Sequence, residues 1–233
     1  MIMKIDNRPI VIIPARKNSK RIRDKNVIKF LGKPLISITI KNLINTKLFS
    51  KIFVSTDSKK IAKISIKNGA NVLYPRPKYL SNDSATLIEV LSYELQKLKK
   101  TIPNIHKVFC ILPTAIFINK KDIIRSKKNF SKKIDFVITA IREDKSVLRN
   151  FYFDKNKLKF ISPKFLNFRT QDLPDTFRDA GQLYLATKKT WLKKKSVFSS
   201  KTKMIQLEKE KYIDIDDYED LKRAKKIYTN GKI

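Results

Sequence analysis

Residues 10–26 read IVIIPARKNSKRIRDKN, and the fold follows from what this stretch joins. Ile10 to Ile13 is a continuous apolar run of four, as in a parallel strand buried on both faces. Beyond the cationic loop, PLISITIKNLIN (34–45) places apolar residues at 35, 36, 38, 40, 43 and 44, with Pro34 suited to a first helical turn. The alternation continues. Ile52 to Ser55 is strand-like; 58–68 fits a helix with Ile61, Ala62 and Ile64 inward and Gly69 closing it. Strands follow at 71–74, 107–112 and 135–140, with helices at 84–100 and 120–128. This order predicts an α/β fold: an open, mostly parallel sheet with helices on both faces.

Ligands of such sheets sit at the carboxyl ends of the strands. The residues there are Pro14-Ala15-Arg16, Ser55-Thr56-Asp57, Pro75-Arg76-Pro77 and Pro113-Thr114-Ala115. From about 141 to 176 the pattern changes to Phe, Tyr, Lys and Asn, with short strand-like pieces at 151–153 and 158–161. This segment reads as an inserted arm. The alternation returns at 183–186 and 204–207, and the chain closes with YIDID (212–216) and a helix at 217–228. With 233 residues and no internal repeat or low-complexity linker, we expect one domain, 1–233, with 141–176 as its arm.

Composition narrows the chemistry. The lone Cys110 excludes a disulfide framework, and the lone His106 excludes a histidine-rich zinc site. Four glycines leave no G-x-G-x-x-G dinucleotide loop. The formal charge of +32 first suggests a nucleic-acid binder. Yet the basic residues are mostly lysines spread over every segment, beside abundant Ile and Asn, as A/T-rich codons would produce. An RNA binder stacks bases on sheet-face aromatics with basic flanks; here Phe and Tyr cluster in the arm and in core-like strands. We therefore expect an acidic small-molecule substrate and no specific nucleic acid. The apolar run ending at Pro14 and Arg16 is too short for a signal-peptide core or a membrane span, so we expect a cytoplasmic protein without a membrane partner.

Two features can carry chemistry. In the loop 15–26 half of the residues are cationic, and with Ser and Asn side chains and free amides it suits a polyphosphate; a merely solvated basic loop is the alternative. Asp214 and Asp216, two apart in an extended segment, share one face. Mg²⁺ takes one or two such carboxylates and fills its shell from water and phosphate. Asp216 as a helix cap is the alternative; Asp217, Glu219 and Asp220 are read as complementing the helix dipole, and capping explains nothing about Asp214.

PARKNSKRIRDKN resembles the opening signature of the CMP-sugar synthetases, the acylneuraminate cytidylyltransferase family. The resemblance continues through LGKPLI, VSTDSKKIA, RPKYLSNDSAT, LPTAIF and IDIDDYEDL, in order over nearly the whole chain. Within the family, FRTQDLPDTFRDAGQLY (168–184) most resembles the pseudaminic acid cytidylyltransferases, and Arg21 in place of a glycine points the same way. Leu112 stands where those enzymes carry a tyrosine, and Arg23 where the family has a proline.

The resemblance implies a Rossmann-like nucleotidyltransferase fold with an inserted dimerisation arm, hence a homodimer. It implies transfer of CMP from CTP to the anomeric hydroxyl of a nonulosonic acid, pseudaminic acid first, with release of pyrophosphate. By the same resemblance Arg16, Ser19, Lys20, Lys25 and Asn26 fall on the triphosphate loop, and Arg76, Asp83 and Ala85 on the cytidine segment. Asp214 and Asp216 fall on the Mg²⁺ carboxylates. Arg149, Arg169, Arg178 and Tyr184 fall at or near the nonulosonate site, where Asp179 and Gln182 are expected to read hydroxyl or acylamido groups. Arg16 and Lys25 are the expected catalytic residues: Arg16 against the α-phosphate, Lys25 with Lys20 against the leaving phosphates.

Overall fold

A computed structural model of the chain describes residues 6–19, 21–102, 104–209 and 212–230. The first strand, β1 (Ile10–Pro14), is followed by the cationic loop and a small hairpin, β2 (Lys29–Phe30) with β3 (Lys33–Pro34). Then come α1 (Leu35–Thr46), β4 (Lys51–Ser55), α2 (Lys59–Lys67), β5 (Asn71–Leu73) and α3 (Leu87–Leu98). They continue with β6 (Lys107–Ile111), α4 (Lys120–Asn129) and β7 (Phe136–Glu143). A two-stranded hairpin, β8 (Phe151–Asp154) and β9 (Lys157–Phe160), stands apart from the main sheet. The chain ends with β10 (Thr176–Thr187), α5 (Lys188–Lys193), β11 (Thr202–Gln206) and α6 (Tyr218–Asn230).

Seven strands form one sheet in the order β11-β7-β10-β6-β1-β4-β5. All neighbours are parallel except where β10 runs antiparallel between β6 and β7. The expected mostly parallel sheet is therefore present, with one reversed strand. Alternate residues of β1 face opposite layers. Val11 and Ile13 pack with Ile36 and Ile40 of α1, Ile61 of α2 and Ile123 of α4. Ile10 and Ile12 pack with Leu91 and Leu95 of α3 and Trp191 of α5. Each such side chain contributes about 1.5–3 kcal/mol by burial. A third cluster joins Leu221 and Ala224 of α6 to Phe30, Phe117, Ile213 and Ile215, which seats the C-terminal segment beside the cationic loop.

Because β10 is reversed, its N-terminal half reaches the edge at which β1, β4 and β6 end. There it bulges: Asp179 pairs with Ala140 but Tyr184 with Ile138, so 180–183 hold residues that β7 does not match. Gly181 within the bulge has φ +59°, a conformation that favours glycine.

Candidate active site

The cationic loop is held in shape by its own polar groups. Asn26 Nδ2 donates to the Arg16 carbonyl at 2.9 Å, closing the loop on its start. The Lys17 amide donates to Asp57 Oδ1 at 2.7 Å, tying it to the residues after β4. Lys25 Nζ donates to the Ile215 carbonyl at 2.9 Å and to Asp216 Oδ1 at 3.1 Å, and Arg21 pairs with the same oxygen at 2.8 Å. Loop and C-terminal segment thus close on one another. Between them lies a cleft of about 480 Å³ whose walls include Arg16, Ser19, Lys25, Asn26, Asp83 and Asp216. Arg16 pairs with Asp83 at 2.5 Å across it. Leu112 lies on the same wall.

A second cleft, of about 620 Å³, shares Arg21 and Asp216 with the first and adds Asp214, Arg178 and Tyr212. A Cβ on Gly181 would lie 3.8 Å from Asp214 Oδ2, so the bulge brings backbone close to that carboxylate. The Tyr212 hydroxyl donates to the Ala180 carbonyl, and the Tyr184 hydroxyl to Asp179 Oδ2 at 2.6 Å; Asp179 Oδ1 accepts the Gly181 amide at 3.0 Å. Burial, and then the charge of Asp216, raises the Asp214 carboxyl above the usual range, while Lys25 and Arg178 oppose this. A buried carboxylate whose charge a neighbouring carboxylate opposes fits a hard divalent cation, which would neutralise it. Among the described residues no group of three or more His, Cys, Asp or Glu could hold a metal. Two carboxylates with the rest of the shell left to water and phosphate is the arrangement Mg²⁺ accepts.

Known proteins resemble this chain along nearly its whole length. The family model described as Cytidylyltransferase matches residues 10–233. The pseudaminic acid cytidylyltransferase of Campylobacter jejuni is 34% identical over 222 residues, covering 94% of this chain and 95% of that one. The chain belongs to the pseudaminic acid cytidylyltransferase family. A more distant relative, the N-acylneuraminate cytidylyltransferase of Streptococcus agalactiae, is 32% identical over 91% of this chain and 51% of its own. Among solved structures, a CMP:2-keto-3-deoxy-manno-octonic acid synthetase complexed with CTP superposes with a TM-score of 0.70 at 11% identity, covering 96% and 99% of the two chains. At that identity the likeness speaks for the fold alone.

Within this cytidylyltransferase fold the expected site residues divide into groups. Arg16, Ser19, Lys25, Asn26, Asp83, Asp214, Asp216 and Arg178 meet at the two clefts. Lys20 lies outside the described residues. Arg76 is buried and is not among the residues on the cleft wall, and Ala85 faces a separate hollow beside Tyr79 and Tyr93. Arg149 and Arg169 sit in the segment between β7 and β10, where Arg149 donates to Thr170 at 2.6 Å and Arg169 pairs with Asp172 at 2.8 Å. Arg178 pairs with Glu143 at 2.7 Å, not with Asp179. Gln182 turns away from the clefts. Its fully buried side chain borders a cavity of about 210 Å³ with Phe117, Asn119 and Tyr212 on its rim. Sequence reasoning missed Arg21 as a partner of Asp216, and Tyr212 as the anchor of the bulge. No local pattern signals either, since each acts on residues far along the chain. His106, before β6, is exposed, as its place at the far end of the sheet implied.

Proposed function

We propose that this cytidylyltransferase transfers CMP from CTP to the anomeric hydroxyl of a nonulosonic acid, with pseudaminic acid as its substrate, and releases pyrophosphate. The observation that carries the reading is the meeting of the cationic loop with Asp214 and Asp216 at adjoining clefts. The end-to-end similarity to the Campylobacter enzyme supports the choice of sugar.

The hydroxyl oxygen attacks the α-phosphorus, and the bond to the pyrophosphate oxygen breaks in line. Charge accumulates on the phosphoryl oxygens, so fixed cations at the carboxyl edge do most of the work. Arg16 stabilises the α-phosphate, exchanging its pairing with Asp83 for a phosphate oxygen. Lys25, with Ser19 and the amides of the loop, holds the leaving β- and γ-phosphates; Asn26 keeps the loop in register. Asp83, on the cleft wall, belongs to the cytidine side. Asp214 and Asp216 would hold Mg²⁺, which supplies Lewis-acid neutralisation of phosphate charge. Arg178, beside Asp214, receives the sugar carboxylate, since guanidinium binds carboxylate in a forked geometry. Tyr184, buried in the core, holds Asp179 through its hydroxyl, and Asp179 offers acceptor atoms to the sugar hydroxyls.

The segment 141–176 acts as the arm of a single nucleotidyltransferase domain. Its hairpin exposes Phe151, Tyr152 and Phe153, an apolar face suited to a second copy in a homodimer. In that dimer Arg149 and Arg169 serve the neighbouring sugar site. Use of CTP fits a cytoplasmic enzyme, and no helix among the described residues is long and apolar enough to cross a membrane. The test is pyrophosphate release from CTP and Mg²⁺ with pseudaminate, legionaminate, neuraminate and other ulosonates in turn. Release with pseudaminate above the others is expected. A preference for neuraminate would overturn the sugar assignment; no release with any acid would overturn the reaction.

A further inference from the structure

Beside the two clefts lies a smaller cavity of about 210 Å³, between α4 and the bulge of β10. It shares only Tyr212 with the cleft of Asp214 and Arg178, and no residue with the cleft of Arg16. Gln182 borders it with a side chain that is 0% exposed. Its Oε1 and its Nε2 are both buried with no hydrogen-bond partner among the described residues. Tyr212 stands near enough for Gln182 to oppose the rise that burial gives its pKa, but the two do not reach hydrogen-bond geometry, and the Tyr212 hydroxyl donates to the Ala180 carbonyl. A buried amide left unpaired costs stability that a leucine of similar size would not. Folding alone gives no reason for it.

The rest of the lining narrows what the cavity suits. Ile118, Leu207 and Tyr212 are buried and supply apolar walls, whereas Lys121, Arg125 and Glu208 are exposed and carry both signs of charge. The first amides of α4 do not call for an anion, because Asn119 Oδ1 accepts those of Lys121 at 2.8 Å and Asp122 at 3.2 Å. Arg125 is held by the Gln206 carbonyl at 3.0 Å. The unmet demand is that of Gln182, whose amide donates from nitrogen and accepts at oxygen. Its complement is a neutral group with an N–H beside a C=O. Space suffices, since a cavity of about 150 Å³ holds benzene.

We propose that this cavity is a second binding site, for a small neutral molecule carrying an amide edge, with Gln182 pairing to that edge through both of its polar atoms. An acylamido sugar and a pyrimidine such as uracil both present such an edge. The polar pair fixes orientation and the apolar walls supply contact, the usual division of labour in a small-molecule pocket. The site does not depend on the reaction proposed above.

The test uses the full-length chain with N-acetylglucosamine and uracil as probes, followed by ligand-detected NMR with and without saturating CTP and Mg²⁺. Expected is binding of at least one probe with a dissociation constant of about 1 mM, unchanged by CTP because the triphosphate cleft is separate. Which probe binds tells an acylamido source from a pyrimidine. Gln182→Leu keeps the bulk and removes both polar atoms. It should weaken binding about tenfold or more and raise the melting temperature. Leu207→Phe, which fills the cavity, should abolish binding, and it carries the test if the first variant fails to fold. A crystal soaked in the bound probe should show its amide against Gln182. Failure of both probes to bind the native chain overturns the inference. So does binding that CTP displaces, which would put the probe in the active site. Native-like binding by both folded variants overturns it too, as do ordered waters alone against Gln182. A chain that binds a probe but no CTP would overturn the function and leave this site standing.

Discussion

Asp216 and Asp217 are neighbours with different partners. Asp216 turns its carboxylate to Arg21 and Lys25 at the cleft, whereas Asp217 Oδ1 accepts the Asp220 amide at 2.8 Å at the start of α6. Asp216 is therefore free of the capping task, which leaves it to the Mg²⁺ role proposed for it with Asp214. Asp214→Asn or Asp216→Asn should lower turnover by about 10²-fold, since a Lewis-acid clamp supplies several kcal/mol. Steady-state rates at saturating CTP and Mg²⁺ check this, with circular dichroism to verify folding. Glu94 of α3, fully buried with Oε1 accepting from Ser55 Oγ at 2.7 Å, gives a stability prediction of known sign. Its folded pKa lies above the ordinary value, so over the window between the two the folded chain holds a proton that the unfolded chain releases. Native stability then falls as pH rises through that window. Glu94→Gln should match the native chain near about pH 4 and exceed it near about pH 7, read as melting temperature at each pH. The two-residue spacing made Asp214 and Asp216 legible in the sequence, because extended backbone puts alternate side chains together. Arg21, Glu94 and Tyr212 were not legible, because their partners come from distant segments.

The C-terminal helix and strand β10 show what an element can reveal beforehand. In α6, Asp220 Oδ2 accepts the amides of Asp216 and Asp217 while Asp217 caps in return. Asp217→Ala should cost about 1 kcal/mol of stability, the usual worth of such a cap. It should leave turnover within a few-fold of native, the reverse of Asp216→Asn; a thermal melt and a rate measurement separate the two. The short apolar strands β1, β4 and β6 were read close to their true limits because both faces are buried. β10 was read only as 183–186, since its first half carries Arg178, Asp179 and the bulge, where alternation breaks. The six-residue α5 gave too short a period to see, and the strand-like YIDID segment forms no ladder because it lies beside the loop, outside the sheet.

Across the whole molecule, the charge of +32 comes from basic residues, mostly lysines, spread along the sequence. Binding to RNA or DNA should accordingly be weak and vanish at about physiological salt, because non-specific contacts depend on counterion release; a salt titration by fluorescence anisotropy checks it. The hairpin aromatics belong to the same scale. Tyr152→Lys with Phe153→Lys should convert the proposed dimer to monomers by light scattering, since charge on an apolar interface is costly. The family could be read from the loops at the carboxyl edge, where chemistry confines residue choice, and the arm only from its change of composition. The account turns on whether the CMP moiety moves to a sugar acid. CTP labelled at the α-phosphorus, incubated with the protein, Mg²⁺ and pseudaminate, should yield the label in a CMP-sugar, with Asp216→Asn nearly inactive. Label left in CTP under every nonulosonate tried, with the native protein folded, would contradict it.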